Sequence, residues 1–153
     1  FRRMSVIVSI VAGPIQGIED SPPPDGAGAE LLFRGIVRPY EAGRPIVGLE
    51  YEAYEPMAQR LLAELCAQAI QRFGVLSIRL IHSKAFVPAG EVSLLISIRS
   101  DRRIAALETM TWLIEALKRE VPIWKRAVAE RCEKNLEGIH TACGGCPAEG
   151  YVL

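Results

Sequence analysis

Between Val75 and Arg99 the chain alternates apolar and polar residues in two runs, "VLSIRLIHSKAF" and "EVSLLISIR", parted by the turn "VPAG". Leu76, Ile78 and Leu80 share one parity, with His82 on the same side; Val92, Leu94, Ile96 and Ile98 share another. A period of two is the signature of a strand with one face on a core. Two such strands across a short turn predict a hairpin. From about Arg102 to Lys118 the period becomes helical, with Ile104, Leu107, Met110, Thr111, Ile114 and Leu117 on one side and Trp112 and Leu113 off it. A helix directly after a hairpin buries its stripe by lying on the sheet. The extra apolar width predicts a second packing partner, a subunit interface being one option.

The preceding segment repeats this order. "ELLFRGIVR" reads as a strand, "PYEAGRP" as a turn and "IVGLEYEAY" as a strand, a pair expected to form a hairpin with a longer loop. Pro56 suits the first turn of a helix over about Met57–Phe73. Its stripe is Met57, Leu61, Leu62, Leu65, Ala69 and Phe73, and Gly74 ends it. Val6–Val11 is an opening strand, and "EDSPPPDGAG", Glu19–Gly28, is a loop because its prolines lack the N–H a ladder needs. The expected fold class is therefore α+β: one strand, then two ββα units, with a mainly antiparallel sheet. The two units are too different in sequence to be called a repeat. We expect a single domain over residues 1–131, with a regular core at about 28–126, and a cysteine-containing tail over 132–153.

With 18 basic and 18 acidic residues, the formal net charge is zero. Long-range attraction to nucleic acid or to an anionic membrane is not expected, so an anion site must be built locally. No run reaches the ~18 apolar residues that span a bilayer. The opening apolar run is short and β-branched for a secretion signal, and Met4 is the expected start. Cys66, Cys132, Cys143 and Cys146 suggest no disulfide framework, and a cytoplasmic location is the default.

Three places gather cations. Asp101 is placed to cap the second helix, which puts Arg102 and Arg103 in its first turn. The helix dipole disfavours cations there by ~0.3–1 kcal/mol each. Free N–H groups and two guanidiniums suit a phosphate, although a solvated helix start explains them equally well. Arg38 closes a strand where Gly35 permits close approach; it reads as a strand-end charge or a ligand group. Lys118 and Lys125 flank "REVPIW". Lys118 suits a helix C-terminus, and Pro122 forbids continuing that helix. A buried Trp124 would pin Lys125. Lysines near other cations in a dry pocket have the ammonium form disfavoured, which suits acid, base or amine chemistry.

Cys132, His140, Cys143 and Cys146 form C-x7-H-x2-C-x2-C, which fits no common zinc finger; the set reads as a zinc site or as free thiols, and no metal is assigned. His82 reads as a packed histidine and Cys66 as core. No Ser-His-Asp set, P-loop or dinucleotide fingerprint is present.

In order and spacing, "GAELLFRGIVR", "LEYEAYEPMA", the "IH" to "AGE" hairpin and "LKREVPIWKR" resemble the large, catalytic subunits of molybdopterin synthase, over about Gly28–Arg126. The resemblance implies an α/β hammerhead fold and a sulfurtransferase without a bound cofactor. Such enzymes convert cyclic pyranopterin monophosphate to molybdopterin by inserting two sulfurs as a dithiolene. The sulfur arrives as a thiocarboxylate on the C-terminal glycine of a small ubiquitin-like subunit, and the large subunit forms a homodimer within a heterotetramer. Carried over by position, Lys118 and Lys125 are catalytic: Lys118 as acid/base or amine group, Lys125 holding the partner's tail and the anionic intermediate. Ile36, Val37 and Arg38 match a substrate-binding segment. Arg102 and Arg103 match a phosphate-binding pair supplied by the other protomer, and Arg126 and Ala127 complete the last binding segment. The chain departs from the family in having Arg102 where a histidine is usual, and Ser83 and Ala85 where an arginine and a glycine are usual. The tail from Cys132 is not part of the pattern. The reading from another class is a non-catalytic small-anion-binding or regulatory α+β module that has kept the fold.

Overall fold

A computed structural model describes residues 4–17 and 22–130. Strand β1 (Ser5–Ala12) is followed by β2 (Ala29–Ile36), a ribbon of β3 (Tyr40–Glu41) and β4 (Arg44–Pro45), β5 (Gly48–Ala53) and helix α1 (Glu55–Phe73). Then come β6 (Ser77–Pro88), β7 (Val92–Ser100), helix α2 (Arg103–Glu120) and β8 (Ile123–Val128). The main sheet runs β2-β7-β6-β5-β8, and β1 pairs with β6. All its ladders are antiparallel except β1–β6. The α+β class with mainly antiparallel sheet therefore holds.

The β6–β7 hairpin forms as expected, with Gly90 at φ 88° in its turn. The expected pairing of "ELLFRGIVR" with "IVGLEYEAY" does not form. Strand β2 pairs with β7, whereas β5 lies between β6 and β8. A hairpin pairing is a local guess. Here β7 is buried along nearly its whole length, so the N–H and C=O groups on its second edge need a partner, and β2 supplies it. The stretch read as a turn instead makes its own ribbon. Its loop, Ala42–Gly43, has φ values of 50° and 75°, positive at both central positions as a type I′ turn requires.

Strand β6 is long enough to serve two neighbours along one edge. Residues 77–84 pair with β1 and residues 85–88 with β5. The change falls at Ala85, whose φ is 63°. A left-handed conformation costs a Cβ-bearing residue about 1–2 kcal/mol, and glycine escapes that cost. Ala85→Gly is therefore expected to raise stability by up to ~1 kcal/mol, read as a higher urea midpoint with an unchanged slope.

Both helices pack on the sheet. Buried Leu62, Leu65, Ala69, Met110, Leu113 and Leu117 meet Ile78, Leu80, Ile96 and Ile98 in one cluster. Helix α1 begins with Pro in its first turn and ends on Gly74 at φ 70°. Helix α2 differs from the expected stripe: Leu113 is fully buried, while Ile104 and Leu107 are more than half exposed. Asp101 is not its cap. The N-cap position is Arg102, without a side-chain cap bond, and the Arg102 N–H donates to Ser100 Oγ at 3.3 Å. Cys66 is buried, and loss of solvation pushes its thiol up to about 12, so it is inert core. Among the described residues, no helix is long and apolar enough to cross a membrane.

Candidate active site

Helix α2 stops at Glu120, and Val121 is already extended at φ −95°, ψ 127°. Pro122 imposes that geometry on the residue before it. The chain then enters β8, where Lys125 pairs with Tyr51 and Arg126 with Glu50. Trp124, expected to be buried, is half exposed. It lies on an edge strand, beside Lys125 in sequence and opposite Glu52. Lys125 is pinned instead by the ladder to β5 and by an ion pair with Glu41 at 2.5 Å.

Glu41 also meets Arg38, with the guanidinium 3.7 Å from its other carboxylate oxygen. Two of the candidate cations, far apart in sequence, thus converge on one carboxylate. Arg38 is positioned by its neighbour Val37, which is buried with Ile46, Leu49 and Val87. The Val37 N–H donates to the Glu91 carbonyl, and the Gly90 N–H to the Val37 carbonyl, which lashes the segment to the β6–β7 turn. Ile36, at the end of β2, is exposed.

Beneath these charges lies a polar chain. The Tyr51 hydroxyl donates to Ser93 Oγ at 2.9 Å, and Ser93 Oγ donates to the Gly35 carbonyl at 3.5 Å. Burial pushes the Tyr51 phenol above its ordinary value; the Ser93 bond and Lys125 pull it back, and Glu41 adds to the rise. Tyr51 meets the His82 ring edge-on at 5.5 Å.

His82 is buried, as its strand parity predicts. Loss of solvation holds its proton affinity below the ordinary value of 6.5, partly opposed by the Nδ1–H bond to the Ser83 carbonyl. The folded state therefore favours the neutral ring. Stability from this group is complete above the unfolded value and drains away as pH falls through 6.5 towards the folded value. We expect the urea midpoint to fall between about pH 7.5 and about pH 5.5, and His82→Gln to shrink that fall.

The remaining candidates stand apart from this cluster. Lys118 is exposed in the last turn of α2 and makes no hydrogen bond or ion pair among the described residues. Arg102 and Arg103 sit at the opposite end of the same helix, roughly 22 Å from Lys118 at 1.5 Å per residue. Arg102 is paired with Asp101 at 3.7 Å. Arg126 and Ala127 are exposed on β8. Both lysines are open to solvent within one chain, so a dry pocket needs walls from elsewhere. Cys132, His140, Cys143 and Cys146 lie outside the described residues; among the described residues no His, Cys, Asp and Glu group could hold a metal. Glu41, Tyr51 and Ser93 escaped the sequence reading. Only the acidic residue of a turn flanked by Arg38 and Arg44 hinted at the first.

The pattern of the MoaE protein family matches residues 13–120, well over half of the chain. The chain belongs to the MoaE family. Its MoaE relatives include the molybdopterin synthase catalytic subunit of Bos taurus, 40% identical over 103 residues, which are 67% of this chain and 54% of that one. The subunit of Bacillus subtilis (strain 168) is 39% identical over 108 residues, 71% of this chain and 69% of that one. The chain spans about half the length of its Bos taurus, Homo sapiens, Rattus norvegicus and Arabidopsis thaliana relatives. Among solved structures, molybdopterin synthase from Staphylococcus aureus superposes with a TM-score of 0.70 at 31% identity, covering 79% of this chain and 90% of that one. A complex of subunits 1 and 2 of molybdopterin-converting factor from Helicobacter pylori 26695 gives a TM-score of 0.62 at 27% identity, covering 78% and 83%. The matched MoaE stretch takes in Arg38, Arg102, Arg103 and Lys118; Lys125, Arg126 and Ala127 follow it.

Proposed function

We propose that this chain is the catalytic subunit of a molybdopterin synthase, a cytoplasmic sulfurtransferase with its catalytic core over residues 28–126. It converts cyclic pyranopterin monophosphate to molybdopterin with sulfur carried on the C-terminal thiocarboxylate of a small ubiquitin-like subunit. The observation that carries this reading is the meeting of Arg38 and Lys125 on one carboxylate, in a chain about 40% identical to subunits bearing that name. Two cations gathered at one spot are what an anionic peptide terminus and an anionic pterin require. Lys118 acts as the acid/base or amine group, Lys125 holds the partner's terminus, and Ile36, Val37, Arg38, Arg126 and Ala127 border the substrate. Arg102 and Arg103 bind the substrate phosphate across a two-fold contact in a homodimer. Their separation from Lys118 along α2 supports a role in the partner protomer's site, and exposed Ile104, Leu107, Leu32 and Ile36 supply apolar surface for subunit contact.

The test is reconstitution. The chain is mixed with thiocarboxylated small subunit and the cyclic precursor, and molybdopterin is sought by mass spectrometry. Failure to form it, in conditions where a MoaE relative succeeds, removes the transferase reading and leaves an anion-binding module.

A further inference from the structure

Glu41 contacts two candidate site cations, Arg38 and Lys125. Its own freedom is small. It projects from β3 beside the tight Ala42–Gly43 turn, where Ala42 holds a left-handed conformation that costs about 1–2 kcal/mol. Such strain persists where the surroundings over-determine the backbone, here the docking of Ile46 against Val37, Leu49 and Val87. The pairing is also lopsided. The Glu41 side chain is 18% exposed, against 78% for Arg38 and 44% for Lys125. The carboxylate is the anchored member and the cations face solvent. Arg44 pairs with Glu41 across the ribbon, and Tyr51 pairs with Lys125 across the β5–β8 ladder.

An anion arriving from solvent therefore meets cations whose charge is already partly neutralised from behind. Donors remain, because Arg38 is ion-paired to Glu41 but not hydrogen-bonded to it and Lys125 gives it one N–H of three, so what a second carboxylate meets is the negative charge of Glu41 behind both cations. We propose that Glu41 is a positioning residue: it holds Arg38 and Lys125 at one spot and limits how tightly that spot accepts a peptide carboxylate, because its own negative charge already offsets theirs. The consequence is a site that gathers its cations beforehand yet releases a spent carboxyl terminus readily. This rests on the reading that Lys125 receives the partner's terminus.

The test uses the full chain and a synthetic peptide ending in Gly-Gly with a free carboxylate, followed by the fluorescence of half-exposed Trp124. For an exposed pair of this kind, Glu41→Gln is expected to tighten peptide binding roughly 3–5-fold at low salt. The gain shrinks as salt screens the cations. A second readout is the rate at which an amine-reactive ester modifies Lys125, with Lys118 as internal reference, by peptide mapping. Freed of its carboxylate, Lys125 is expected to react faster relative to Lys118. Glu41→Asp, which keeps the charge, should return both readouts towards wild type. Unchanged affinity and an unchanged Lys125 to Lys118 ratio in Glu41→Gln would overturn the proposal, as would a Glu41→Asp protein behaving like Glu41→Gln. Should the charge offset hold while no molybdopterin forms in reconstitution, the positioning role stands and the sulfur-transfer reading alone falls.

Discussion

On the proposed sulfurtransferase function, Lys118→Ala is expected to abolish molybdopterin formation while leaving the fold and the proposed homodimer intact. The structural cost is small. Lys118 is exposed and unpaired among the described residues, so truncation forfeits chiefly its favourable place at the C-terminus of α2, about 0.3–1 kcal/mol. The chemical cost is large. If its amine moves a proton or attacks the reacting carbon, its loss removes about 10²–10⁴ in rate. Lys118→Arg separates the two roles a cation can play. The guanidinium keeps the charge but does not give up its proton, so an amine or acid/base role predicts that this variant also fails. Molybdopterin is measured by mass spectrometry, and the dimer by light scattering. Full turnover by Lys118→Ala would remove the residue from the mechanism.

Leu113→Ala carries the largest expected effect on stability. Leu113 is fully buried in α2, in the cluster that joins both helices to β6 and β7. Its removal loses the transfer energy of the side chain and leaves a cavity between tightly packed layers, about 2–5 kcal/mol together. Domains are stable by only ~5–15 kcal/mol, so the urea midpoint should fall steeply. Helix α2 also carries Arg103 at one end and Lys118 at the other, so activity should fall with the folded fraction and recover at lower temperature. By contrast Leu107→Ala, on the exposed side of the same helix, should leave monomer stability within about 0.5 kcal/mol of wild type. A Leu113→Ala midpoint equal to that of Leu107→Ala would contradict this assignment of the core.

The same helix shows why the sequence was legible only in part. Helical spacing from Ile104 to Leu117 identifies the element but leaves Leu113 off its apolar side. The fold buries Met110 and Leu117 as expected, together with Ala106, Thr109, Leu113 and Ala116, because small residues let the helix approach closely. Capping failed for a similar reason. Asp101 is a sound cap by type, yet its carbonyl lies so close to Gly28 that a Cβ there would come within 2.5 Å. The segment before β2 thus sits against the helix start, a contact between distant residues.

What the residues alone determined was local: the β6–β7 hairpin, the ends of α1 at Pro56 and Gly74, the packed His82, and the break that Pro122 imposes after α2. Each follows from dihedral limits or side-chain period within a few neighbouring residues. Tertiary structure decided which strands became neighbours, how exposed Trp124 is, and that Glu41 stands between Arg38 and Lys125. Those outcomes depend on apolar area buried jointly by segments far apart in the chain, and on charges that meet only once that area is buried; no local pattern encodes such a sum.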